Sequence, residues 1–124
     1  MELTVAIKKK KENYYILSPA GSIDSDTYQI LEKELDLVLG RQAKAVMLDM
    51  AGVAYVSSIG ITVIFKAKQA LEERGGKLVL ARLQPNIKKV FDALKAIPGS
   101  IFMTTEEAEA SLLTVLGDGL RKKN

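Results

Sequence analysis

Ser57 and Ser58 stand side by side in "YVSSIGITVIF", residues 55–65, between a short apolar segment and a longer one. A hydroxyl at such a junction can cap a helix, carry a phosphate or attack a carbonyl, and its neighbours decide which. The chain contains no histidine and no cysteine. That removes the commonest general base at neutral pH, thiolate nucleophiles, disulfides and the usual zinc ligands. The serines do not lie in G-x-S-x-G, and no serine–lysine arrangement of recognisable spacing surrounds them, so acyl transfer lacks its machinery. Neither G-x-x-x-x-G-K-[ST] nor G-x-G-x-x-G occurs, so any ATP should arrive with a partner. These residues point to a binding domain with no catalytic residue, metal or cofactor of its own.

Ser57 is placed to be the N-cap of the helix that follows, its hydroxyl accepting a backbone N–H. Ser58 is then the free hydroxyl of the pair. A phosphate on Ser58 would meet unpaired backbone N–H groups and the positive end of the helix dipole, so its added charge of about −1.5 to −2 would be held without unfolding the domain. Gly60, in the first turn, costs roughly 1 kcal/mol relative to alanine. The expected return is access for a neighbouring backbone or for a bulky group on the serine.

The surrounding elements follow from periodicity. Leu3, Val5 and Ile7 alternate with polar neighbours as in a half-exposed strand, and "YYILSPAGSI" reads as a second strand. The two should form a hairpin with Lys8 to Lys11 and Asn13 at its solvated tip. "GSIDSDT" ends that strand and offers Asp24, Ser25 or Asp26 as a helix cap. Tyr28, Leu31, Leu35, Val38 and Leu39 give the apolar stripe of the next helix, with Gly40 placed to end it. "AKAVMLDM" reads as a strand covered on both faces, leading through Ala51 and Gly52 to the serines.

Residues 58–74 have the composition of a helix, closed by Gly75 and Gly76, and "KLVLA" is another buried strand. Ile87, Val90, Phe91 and Leu94 form a further helical stripe beginning near Pro85, with Pro98 and Gly99 closing that section. "SIFM" adds a short strand, and "TTEEAEASLLTVL" has threonine caps and early acids suited to the helix dipole. The predicted order is β β α β α β α β α. Helical crossovers require largely parallel neighbours, so the expected fold is an α/β open sandwich. Its mixed, mostly parallel sheet carries an antiparallel N-terminal hairpin and four helices. In such a sheet, loops leaving the carboxyl ends of the strands gather along one edge, which should bring Asp24 and Ser25 beside Ser57 and Ser58.

At 124 residues the chain is expected to be one domain over 1–120, with a disordered tail at 121–124. "MELTVAIKKKK" has its charges after its apolar residues and no long apolar core, so a soluble, cytoplasmic protein without membrane insertion is expected. The net charge of +3 is concentrated in Lys8 to Lys11 and Arg121 to Lys123. Few aromatics accompany these cations, so direct nucleic-acid binding is not expected.

The stretch from "VMLDMAGVAYVSSIG" through "FDALKAI", together with "GSID" in the earlier loop, resembles the STAS domain family, specifically the anti-sigma factor antagonists of bacteria. The resemblance runs from about Leu3 to Leu116. Its most specific part is the apolar-apolar-[Asp or Ser]-Ser-small-Gly-Leu pattern, here Tyr55 to Ile61. It implies a STAS-like open sandwich and a non-enzymatic role in transcription regulation by partner switching. The unphosphorylated antagonist binds an anti-sigma factor that is also a serine kinase and brings its own ATP. Phosphorylation at the position of Ser58 releases it, and a PP2C-type phosphatase resets it. Asp24 matches the family's acidic residue in the first loop. The implied partner face comprises Asp24, Ser25, Ser57, Ser58, Ile59, Gly60 and Ile61. Two positions depart from the pattern: Ser57 stands where many regulated members have aspartate, making it an alternative phosphate acceptor, and Ile59 stands where serine or alanine is usual. Some members with such changes serve as unregulated scaffolds, and STAS domains also occur in lipid-transport and sensory complexes; a constitutive binding subunit of such a complex is the alternative reading.

Overall fold

A computed structural model describes residues 2–94, 101–102 and 104–116 of the chain. The element order is β1 (Leu3–Lys11), β2 (Tyr14–Ile23), α1 (Tyr28–Gly40), β3 (Ala45–Asp49), β4 (Gly52–Val56), α2 (Ser58–Glu73), β5 (Lys77–Ala81), α3 (Pro85–Leu94), β6 (Ile101–Phe102) and α4 (Thr105–Val115). The sheet order is β1-β2-β3-β5-β6, with β4 paired to β2. Only the β1–β2 pair is antiparallel, and every other pair is parallel. This is the expected mixed sheet with four helices and an N-terminal hairpin.

Residues of alternating side build two cores. Tyr15, Leu17, Ile23, Val46, Leu48, Val53, Leu78 and Leu80 face the layer of α1, α2 and α3, where Leu31, Leu35, Ile64, Leu71, Ile87 and Phe91 are buried against them. Phe65 of α2 meets Phe91 of α3 in a tilted ring pair 6.3 Å apart. On the other side, Tyr14, Ala45, Met47, Val79 and Ala81 pack under Ala108 and Leu112 of α4. Central strands that feed both cores must be apolar at successive positions, which is why "AVML" and "LVLA" show no alternation.

Several local expectations are corrected. The lysine run is not the hairpin tip: Lys8 to Lys11 lie within β1, and the turn is Glu12 and Asn13, with Asn13 at φ 64°. Lys9 pairs with Glu12 at 3.3 Å and Lys10 with Glu109 of α4 at 3.4 Å. The segment after Asp49, read as a connection, is the strand β4. It takes over the pairing of β2 where β3 stops: Leu17 is the last β2 residue beside β3, and Ala20 is the first beside β4. Gly40 is the last residue of α1, but Gln42 is the one with positive φ, 69°. Val90, expected in the apolar stripe of α3, is 38% exposed. Thr104 caps α4 in a reciprocal box with Glu107, as its sequence suggested. Pro98 and Gly99, expected to close the section after α3, and residues 121–124, expected to form a disordered tail, lie outside the described residues.

Gly76 closes the turn from α2 into β5, and a Cβ there would sit 2.3 Å from the Lys44 carbonyl oxygen. Gly40 has no neighbour within 4 Å of its would-be Cβ. Gly76→Ala should therefore destabilise by about 1–3 kcal/mol as an overpacked site. Gly40→Ala should stabilise by about 0.5–1 kcal/mol by helix propensity. Chemical denaturation midpoints of the two variants check the contrast.

Candidate functional site at the carboxyl edge of β2 and β4

Two loops meet at this edge because β2 and β4 run parallel and in register. Ser22 lies beside Tyr55 and Ile23 beside Val56, after a one-residue bulge at Ala54. The pairing continues into the loop, where Ser57 N–H donates to the Ile23 carbonyl at 2.8 Å. The residue after Ile23 is Asp24, so the expected meeting of the Asp24 loop with the serine junction is what the strand register produces.

The Asp24 loop is fixed by short-range hydrogen bonds. Asp24 Oδ1 accepts from the N–H of Asp26 at 2.9 Å and the N–H of Thr27 at 3.1 Å. The Thr27 hydroxyl accepts from Asp24 N–H at 2.9 Å and donates to the Ser22 carbonyl at 2.7 Å. None of Asp24, Ser25 or Asp26 caps α1: Thr27 occupies the N-cap position without a side-chain cap bond, and Asp24 instead closes the turn before it. Thr27, buried at 4% exposure, was missed by sequence reasoning. The signal was available in "DSDT", an aspartate and a threonine three apart that can each bond the other's backbone. The N–H groups of Asp26, chiefly, and of Thr27 hold the Asp24 carboxyl below the usual carboxylate range. The loop therefore presents a fixed negative charge next to the serines.

On the second loop the two serines separate. Ser57 has extended backbone, φ −87° and ψ 174°, and its Oγ accepts from Gly60 N–H at 3.4 Å while its carbonyl accepts from Ile61 N–H at 3.0 Å. It is the N-cap, as its position suggested. Ser58 is exposed on the first turn. None of the described residues accepts from the N–H groups of Ser58 or Ile59, so two donors at the positive end of a sixteen-residue helix remain available beside the Ser58 hydroxyl.

Of the two returns expected of Gly60, the structure shows the close approach of a neighbouring backbone, with the Ile23 carbonyl oxygen 3.2 Å from its would-be Cβ. Its would-be Cβ lies 2.6 Å from Ile23 Cγ2 and 3.1 Å from Val56 Cγ1, both inside the core. The close approach it permits is that of α2 to its own sheet, not access for a group on Ser58. Gly60 is buried and Ile61 is 7% exposed, so of the expected partner face these two support the surface from beneath. Ser25, Ser58 and Ile59 are exposed, while Asp24 and Ser57 are partly covered. Tyr55, 52% exposed, and Ile59, 37% exposed, flank the serines with apolar surface. Tyr55 was not among the sequence candidates; as the residue opposite Ser22 it is turned to the face away from α2 by the bulge at Ala54.

Two expected outcomes follow from this geometry. Gly60→Ala should cost about 1–3 kcal/mol, and less in an Ile23→Ala background that lacks the clashing Cγ2; a double-mutant cycle by denaturation measures the coupling. A carboxyl held low contributes stability that is fully present above its unfolded value and is lost as pH falls through its folded value. The Thr27 amide resonance should therefore shift together with the Asp24 carboxyl carbon, at a pH below that at which the carboxyl of an unfolded chain titrates.

Residues 5–108 match the STAS domain family. Over 111 residues the chain is 30% identical to BtrV of Bordetella bronchiseptica, named as an anti-sigma factor antagonist, covering 90% of this chain and 91% of that one. It is 25% identical over 92 residues to the anti-sigma-B factor antagonist of Listeria monocytogenes, covering 74% and 81%. The fold superimposes on the unphosphorylated anti-sigma factor antagonist SpoIIAA from Bacillus with TM-score 0.78, covering 90% of this chain and 97% of that one at 15% identity. A sheet closed by an antiparallel hairpin, a capped serine junction on its carboxyl edge and a match across nearly the whole described chain agree on one assignment: this chain belongs to the STAS domain family.

Proposed function

We propose that the chain is an anti-sigma factor antagonist working by partner switching. Unphosphorylated, it binds an anti-sigma factor that is also a serine kinase, and phosphorylation of Ser58 releases it. The support in its relatives is that two similar in sequence over most of the chain are named as antagonists of anti-sigma factors. The observation that carries the reading is the division of labour between the serines. Ser57 is engaged as a helix cap, while Ser58 is exposed and unbonded through its hydroxyl beside two unpaired N–H donors. The first of the two is therefore a poor phosphate acceptor, since modification would remove the cap, and the second is an accessible one.

The contact surface in this reading is Asp24 and Ser25 from one loop, and Ser57, Ser58 and Ile59 from the other, with Tyr55 at its margin. Apolar Ile59 and Tyr55 supply area that a partner can dehydrate. A phosphate placed between them would leave about two negative charges in that dehydrated patch next to Asp24. Like charge there is costly enough to dissociate the complex. The partner supplies ATP and the transfer chemistry, and a PP2C-type phosphatase restores the binding form. The chain itself performs no catalysis in this scheme.

Phosphorylation by the cognate kinase should put phosphate on Ser58 and leave Ser57 unmodified, read by mass spectrometry of the product. Ser58→Asp should weaken partner affinity by more than about tenfold in calorimetry, the scale of one uncompensated interfacial charge. Ser58→Ala should bind with unchanged affinity and resist release by ATP. A kinase that binds this chain and modifies neither serine would overturn the switch and leave a constitutive binding domain.

A further inference from the structure

We propose that the outer edge of β1 pairs with the same edge of a second copy of this chain, antiparallel and centred on Val5, giving a two-fold dimer with one continuous sheet. The proposal is independent of the function argued above. β1 terminates the sheet, with β2 as its sole strand neighbour among the described residues. An edge of nine residues exposes a row of backbone donors and acceptors that another strand can complete.

The usual protection against such pairing is charge on the edge, and here it covers only half of the strand. Lys9 and Lys10 are held by Glu12 and Glu109 of the same chain. From Leu3 to Ile7 the strand carries no charge at all. Glu2 and Lys8 bracket this stretch, are both exposed, and have no ion-pair partner among the described residues. They stand three residues either side of Val5. An antiparallel pair centred on Val5 sets Val5 against its own copy, Leu3 against Ile7, Thr4 against Ala6, and Glu2 against Lys8. All these pairs match in side as well as kind: Leu3, Val5 and Ile7 belong to the face that packs on the helices, and opposite charges meet at both ends of the ribbon. Lys9 to Lys11 lie outside this paired stretch.

The helix above the edge fits the same symmetry. α1 packs over β1 and β2. Its side toward α2 is formed by Glu32, Leu35, Asp36 and Leu39. Ile30 and Leu37, each 41% exposed and seven residues apart, lie on the opposite side, above the free edge. From Tyr28 to Leu37 the helix descends about 13 Å at 1.5 Å per residue. That is about the distance from Ile23 down β2 to Pro19, the partner of Val5 in the hairpin. Leu37 thus sits level with the proposed two-fold axis, where it meets its own copy. The Ser58 loop follows β4, on the opposite side of β2 from β1, and remains open in such a dimer.

Sedimentation equilibrium of the full chain over a wide concentration range tests the pairing. The expected result is a reversible monomer–dimer equilibrium. Glu2→Lys and Lys8→Glu each place like charges opposite one another twice per dimer, so each should weaken dimerisation by about tenfold or more. The double variant Glu2→Lys, Lys8→Glu restores opposite charges and should return the dimer constant to near that of the parent. Leu37→Glu should weaken it as well. Both charge positions are exposed, and circular dichroism of each variant checks that it folds. A chain that is monomeric at every concentration overturns the proposal, as does a dimer that the single charge reversals leave unchanged or that the double variant fails to restore.

Discussion

The hydrogen bond from Ser57 N–H to the Ile23 carbonyl, at 2.8 Å, joins the two loops on which the account rests. It extends the β2–β4 ladder by one rung past the end of the strands. It makes Ser57 the last strand-like residue and the first cap of α2 at once, and it fixes Asp24, next after Ile23, beside the serines. Gly60 secures the other side of the junction by letting the first turn of α2 lie against Ile23 without a Cβ between them. A longer side chain at residue 60 would lift the helix from the sheet and carry Ser58 with it. The position of the exposed hydroxyl is in this sense set by the core.

That arrangement explains how a surface can change without the fold changing. The charge-bearing groups of the edge, Asp24 and the free N–H groups of α2, are held by bonds within each loop and between the loops. The donors beside Ser58 are not engaged by the chain, so a new anion there breaks no existing bond. The two cores beneath it, one under α1 to α3 and one under α4, consist of side chains that do not reach this edge, apart from Ile23, Val56 and Ile61. In the proposed reading, recognition and stability thus fall on different residues of the same short segment.

Much of this was legible in the sequence because it depends on local periodicity. The hairpin, the apolar runs of β3 and β5, the stripe of α1, the composition of α2 and the cap at Ser57 are all readable along the chain. What was not legible depends on which strand lies next to which. β4 is five residues with burial at Val53 and Val56 only, an i, i+3 spacing that the bulge at Ala54 creates and that breaks strand alternation. The purpose of Gly60 required knowing that Ile23 is its neighbour. The lysine run reads as a turn by charge alone, yet β1 continues through it because Tyr14, Tyr15 and Ile16 on β2 are there to pair with. Thr27 was overlooked because its role is to close a turn and not to cap α1.

The most direct test of a rigid edge with a switchable surface is a comparison of amide spectra of the unmodified chain and the chain phosphorylated at Ser58, with hydrogen exchange measured on both. The account predicts chemical-shift changes confined to residues 23–27 and 54–62, with exchange protection of β3, β5 and the body of α2 unchanged. Changes spreading through the sheet or α1, or a loss of protection in the core strands, would contradict it.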